Sequence, residues 1–198
     1  SRGLEDHVAS GSGTTCKHGL ASEANGKAYV TGMSNNGVNW DYLTVAYAAD
    51  GAELWSRSKN GVANGNDYPF AIAVGGGGLV VVAGRSFNGL NYDYLTVAYD
   101  SAGNELWARL KNGVANLDDI AFAIAVDTSG NVFVTGRSST GLGNEYLTVA
   151  YDSSGVELWT MAKGGGANSN SGAFALALDG AGRVFVTGTS NIGASYDF

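Results

Sequence analysis

"YLTVAY" stands at residues 42–47, at 94–99 and at 146–151, each copy 52 residues after the last. Other segments keep step with it. "ELW" falls at 53–55, 105–107 and 157–159; "FAIAV" falls at 70–74 and 122–126, with "FALAL" at 174–178. "GKAYVTG" (26–32), "GLVVVAG" (78–84), "GNVFVTG" (130–136) and "GRVFVTG" (182–188) give four copies. Shared phase with no insertion marks a repeat protein. Each unit holds four short runs rich in β-branched and aromatic residues, bounded by Gly, Asn, Asp or Ser. That pattern predicts four strands, a to d. "DTSGN" (127–131) and "DSSGV" (152–156) predict tight a–b and c–d turns, with Asp capping and Gly supplying positive φ. Stretches such as "RSSTGLGNE" and "AKGGGANSNSG" predict longer b–c and d–a loops. Strand alternation then puts both tight turns at one end of a unit and both long connections at the other.

Four strands per unit and a period near fifty predict an all-β fold of β-propeller blades, each of four antiparallel strands. The chain has room for about 3.5–4 such blades, a partial or half propeller. Residues 1–198 read as one propeller region with units at 18–57, 69–109, 121–161 and an incomplete 173–198. Residues 1–25 read as a degenerate partial blade or a strand donor, because "HGLAS" (18–22) takes the place of "FAIAV" without its aromatic. The last residues, "SYDF", begin another strand c. A piece of a longer propeller, or a half-ring closed by a second copy, is therefore the expectation, ahead of a small ring closing alone.

Composition narrows the function. Gly 31, Pro 1 and 15% charged residues suit short strands and tight turns rather than long helices. A net charge of −7 argues against nucleic acid as a partner, since phosphate binding needs clustered Lys and Arg. No apolar run is long enough to insert in a membrane as a helix. The single Cys16 cannot form an intrachain disulfide.

"DSSG", "VFVTG", "YLTVAY" and "ELW", in this order, resemble the repeat of seven-bladed β-propeller (SBBP-type) proteins, over roughly residues 26–198. Those are bacterial secreted or cell-surface chains, so the resemblance implies a propeller in an extracellular or cell-surface setting. It implies no catalytic residues.

The recurring aromatics, Trp55, Trp107 and Trp159, Phe70, Phe122 and Phe174, and Tyr42, Tyr94 and Tyr146, are expected to pack blade on blade. The Asp-x-x-Gly turns offer one carboxylate each, so they read as capped turns rather than calcium loops. Cys16, His7 and His18 lie near one another in sequence but lack a third orienting group, and no metal site, cofactor or catalytic residue is expected. Arg57, Arg109, Lys59, Lys111 and Lys163 fall at the end of strand d or just after it, and Arg85 and Arg137 at the end of strand b. These make 7 of the 11 Lys and Arg, all assigned to the long-loop end. Trp40 and Tyr92 share a phase in the b–c connections. A ligand-binding set of Trp40, Tyr92, Arg57, Lys59, Arg109, Lys111 and Lys163 follows, with aromatic faces for stacking and cations for polar groups.

The expected function is a non-enzymatic binding or scaffold module. It presents its b–c and d–a loops to a polysaccharide, a protein or another copy of itself. The alternative is part of a propeller-fold enzyme, a polysaccharide lyase or hydrolase, with active-site loops partly outside the chain.

Overall fold

The computed structural model describes residues 15–164, 169–191 and 196–197. They form fifteen antiparallel strands in four sheets, with one 3-10 turn at Gly76–Gly78 and no α-helix among the described residues. The first sheet is β1 (Thr15–Ser22), β2 (Ala28–Asn35), β3 (Trp40–Tyr47) and β4 (Glu53–Lys59). The second is β5 (Asp67–Val74), β6 (Val80–Phe87), β7 (Tyr92–Tyr99) and β8 (Glu105–Lys111). The third is β9 (Asp119–Val126), β10 (Val132–Ser139), β11 (Asn144–Tyr151) and β12 (Glu157–Gly164). The fourth holds β13 (Gly172–Leu178), β14 (Val184–Asn191) and β15 (Tyr196–Asp197). Within each sheet the strands pair in chain order, as in a propeller blade, and the first strands β1, β5, β9 and β13 contact one another in turn. The chain is an open run of propeller blades.

The degenerate-looking segment "HGLAS" lies in a full strand. β1 starts at Thr15 and pairs with β2 along its length. Its ladder skips residue 18, as the later blades skip Phe70, Phe122 and Phe174. The backbone pattern thus survives loss of the aromatic, because the ladder depends on N–H and C=O groups that every non-proline residue carries. Residues 1–14, with His7, lie outside the described residues, as do the side chains of Cys16 and His18.

The core lies between blades. Tyr29, Tyr42, Trp55, Val80, Val82 and Val97 fill the first interface; Tyr94, Trp107, Val132, Val134, Val149 and Tyr151 fill the second. "YLTVAY" has a specific part in this. The Tyr42 hydroxyl donates to Leu95 O at 3.1 Å, and the Tyr94 hydroxyl to Leu147 O at 3.0 Å. In the first two copies the motif's tyrosine therefore reaches the leucine of the next blade's copy, which satisfies a buried hydroxyl. The glycine closing "VAG" and "VTG" makes room for this. A Cβ at Gly84 would stand 2.6 Å from the Tyr42 hydroxyl and 2.1 Å from Tyr68 O; Gly136 meets Tyr94 and Ile120 O in the same way.

The tryptophans seal the tight-turn end. Trp55 is 7% exposed, lies against Gly103 and donates through Nε1 to Ser101 O at 3.2 Å. Trp107, 5% exposed, does the same with Gly155 and Ser153 O at 3.0 Å. The preceding leucine of "ELW" is not a packed strand residue. The ladder skips Leu54, Leu106 and Leu158, and all three stand about half exposed. The bulge is what turns the tryptophan inward.

Candidate binding face

The b–c connections are shorter than their sequence suggests. β2 runs to Asn35 and β3 starts at Trp40, which leaves only 36–39 between them; in the second blade only 88–91 remain. Asn36 accounts for this. Its Oδ1 accepts from the N–H of Val38 at 2.8 Å and of Asn39 at 3.0 Å, while Gly37 takes φ 94°. Asn88 repeats the arrangement with Leu90 and Asn91, with Gly89 at φ 105°. An asparagine side chain standing in for backbone makes a closed turn from what reads as a loop. The d–a connections remain long, spanning 60–66 and 112–118.

The two kinds of connection are fastened together. Asn39 Nδ2 donates to Gly65 O at 2.6 Å, and Trp40 N–H donates to Asn66 Oδ1 at 3.0 Å. One blade later, Asn91 Nδ2 donates to Asn116 O, and Tyr92 N–H to Asp118 Oδ1 at 3.0 Å. Beneath them lie buried aspartates. Asp67 Oδ2 accepts from Gly61 N–H at 2.6 Å, and Asp119 Oδ2 from Gly113 N–H at 2.5 Å. A Cβ at Gly61 would stand 2.0 Å from Ser86 Oγ and 2.8 Å from Asp67 Oδ1, so glycine is needed for the carboxylate to seat. Burial, ahead of the opposing influence of the nearby Ser86 hydroxyl and the Gly61 N–H, pushes the Asp67 pKa up. Asp41, Asp93 and Asp119 are raised for the same leading reason.

Aliphatic side chains crown this scaffold. Val38, Leu90 and Leu142 tip the b–c turns, and Val62 and Val114 tip the d–a loops, all between 71% and 88% exposed. Their recurrence at 52-residue spacing, inside polar stretches such as "NGV" and "NGL", is a sequence signal that the aromatic-and-cation reading passed over. A cleft of about 350 Å³ opens beside Val62, lined also by Lys59, Asn60, Leu95, Ala108 and Leu110.

The seven residues singled out from sequence do not converge. Trp40 and Tyr92 are half-buried on different blades. Arg57 Nε donates to Gly103 O and Arg109 Nε to Gly155 O, both at 2.7 Å, so these cations hold the next blade's tight turn. Lys59 pairs with Glu105 at 2.8 Å and Lys111 with Glu157 at 2.9 Å. Lys163 stands exposed on β12, with no ion pair among the described residues. Assigning the cations to a long-loop end treats strand d as lying along the same axis as strand a. Twist of roughly 20–25° per strand, added over three steps, turns strand d almost crosswise. Its end then meets the start of the neighbouring strand d, where the glutamates sit.

Residues 106–143 match the family model described as SBBP, Beta-propeller repeat. No curated protein sequence matches the chain. Among solved structures, the beta-propeller domain of the Trilobed protease from Pyrococcus furiosus, described as having an open velcro topology, is similar at 7% identity with a TM-score of 0.47. The similarity covers 91% of this chain and 56% of that one, so the chain spans little more than half of its length. The 52-residue period, the strand order of each blade and the family match together make this chain a β-propeller repeat protein.

Proposed function

We propose that the chain is a non-enzymatic binding module of an extracellular or cell-surface protein, and that its loop face docks a protein. One observation carries the reading: five aliphatic side chains stand exposed at the tips of loops fastened to one another by hydrogen bonds. Exposed aliphatics on a rigid frame favour an apolar protein surface, since they bury area without ordering the loops on binding. The extracellular setting rests on the resemblance of the repeat. The test is a random peptide display library run beside a glycan array. Selected peptides that lose binding in Val38→Ser/Val62→Ser support the reading. Glycan binding that depends on Trp40 and ignores both valines overturns it.

Self-association is the second reading, favoured by one further observation. Trp159 is 38% exposed, Met161 64% and Phe185 53%, whereas Trp55 and Trp107, at the same phase as Trp159, are buried. A blade from a second copy would cover them. Solution mass decides: a particle of 20.2 kDa removes this reading, and twice that mass supports it.

A further inference from the structure

The second blade carries an arrangement that the other blades lack. Arg85 lies over the ring of Tyr68 at 4.8 Å and over that of Tyr92 at 4.4 Å, and the two rings stand 6.0 Å apart at 52°. Phe87 closes the cradle against Tyr92 at 5.5 Å. In the third blade Arg137 keeps the cation, but Ile120 and Asn144 replace the tyrosines; in the first and fourth, Met33 and Thr189 replace the arginine. The cradle is thus a departure from the repeat rather than a by-product of it.

The guanidinium is unanswered. Among the described residues Arg85 has no ion-pair partner and no side-chain hydrogen bond, and its Nε is buried without an acceptor. The Nε of Arg137, at the same phase in the third blade, is buried without an acceptor as well, so the rings and not the orphan Nε set Arg85 apart; Arg57 and Arg109 spend their Nε on backbone carbonyls. The two rings, only 6.0 Å apart, meet the Arg85 group from adjacent directions and not from its two opposite faces, which leaves its Nη edge for a ligand. A planar carboxylate fits that edge with two parallel hydrogen bonds. Two exposed leucines lie close in the chain to residues of the cradle: Leu90, 81% exposed, precedes Tyr92 by two residues, and Leu117, 39% exposed, precedes the Asp118 whose carboxylate accepts the Tyr92 N–H.

We infer that Arg85, flanked by Tyr68 and Tyr92, is a binding site for a carboxylate that a protein partner presents beside an aliphatic side chain. This rests on the reading of the loop face as a protein-docking surface and names the group it recognises. Tyr68 and Tyr92 hold the guanidinium in place and exclude water, and Leu90 and Leu117 receive the neighbouring side chain.

The test follows the arginine Nε–Hε resonances of the intact chain by NMR during titration with N-acetyl-leucine, N-acetyl-leucinamide and glucuronate. A saturable shift at Arg85 with N-acetyl-leucine, absent with the amide, is expected. Arg137→Gln should leave the affinity unchanged, and Tyr92→Ala should weaken it at least fivefold. A shift that never saturates, or one equal with the neutral amide, overturns the site. Tighter binding of glucuronate overturns the assignment to a protein carboxylate. The wild-type titration decides even if a variant fails to fold. Val38→Ser/Val62→Ser, which leaves the cradle intact, separates the two ideas. Loss of library peptides there with no N-acetyl-leucine binding sinks the site alone; the reverse sinks the docking face alone.

Discussion

Asp152, at a tight turn, and Asp119, beneath the loop face, are the same residue type put to opposite uses. Asp152 is partly exposed, and its Oδ1 accepts from Ser154 N–H, Ser154 Oγ and Val156 N–H at 2.7–2.9 Å. Those bonds, Ser154 first and Val156 next, hold its pKa below the ordinary 3.8. Asp119 is fully buried, and burial holds its pKa above that value although Ser138 and Gly113 pull it down. The turn aspartate closes a local hairpin. The loop aspartate organises a segment that joins two blades. At one end the aspartate caps its own turn, which the preceding blade's tryptophan and arginine then clamp; at the other it ties together loops that depend on each other.

The largest effect that would break this comparison belongs to the tight-turn end. Trp107→Ala removes a buried ring from the neighbouring blade's turn and should cost about 3–5 kcal/mol by urea denaturation, whereas Trp159→Ala should cost far less. Equal losses would show that the turn clamp contributes nothing. Next comes the loop end. Asp119→Ala leaves the Gly113 N–H without its acceptor and should cost about 1–3 kcal/mol, more than Asp152→Ala, whose turn can turn to water.

Acid titration sharpens the contrast. Asp152, with its folded pKa lowered, contributes stability above the unfolded-state value that disappears as pH falls through the folded pKa. Asp119, with its folded pKa raised, contributes stability below the unfolded-state value that disappears as pH rises through the folded one. Carboxyl NMR should therefore find Asp119, Asp67 and Asp93 titrating above 3.8 and Asp100, Asp152 and Asp179 below it. A shared midpoint for the two groups would remove the distinction. The smallest effect is that of Lys111→Ala. Its pair with Glu157 is part-exposed, so the loss should stay under about 1 kcal/mol and shrink with salt.

The blades were legible because the information is periodic. A 52-residue repeat, alternating strands and Asp-Gly turns depend on local chemistry that a single unit displays. The aromatic packing was legible for the same reason: tryptophan and tyrosine at one phase have only the next blade to meet. What escaped depends on geometry between units. Arg57 and Lys59 sit at the end of strand d in sequence, yet accumulated twist delivers them to Gly103 and Glu105 of the next blade. The bulge that throws Leu106 outward depends on a ladder mismatch with β7 that spacing does not display. Val62 and Val114 look like filler in polar loops until those loops are seen fastened in place. Arg85 was visible as a cation, but not as one lacking an acceptor between two tyrosines.

Clamps hold the blades together, and under the proposed function the loop tips bind. Leu90→Ser/Val114→Ser/Leu142→Ser tests it when thermal unfolding and the affinity of a library-selected peptide are measured on the same preparation. The thermal midpoint should stay within about 2 °C of the parent, because exposed side chains away from the core contribute little to stability. Peptide binding should be at least about tenfold weaker, roughly the loss of one buried aliphatic anchor's worth of contact. Unchanged affinity, or a fall in stability like that of Trp107→Ala, would contradict this division between clamps and tips.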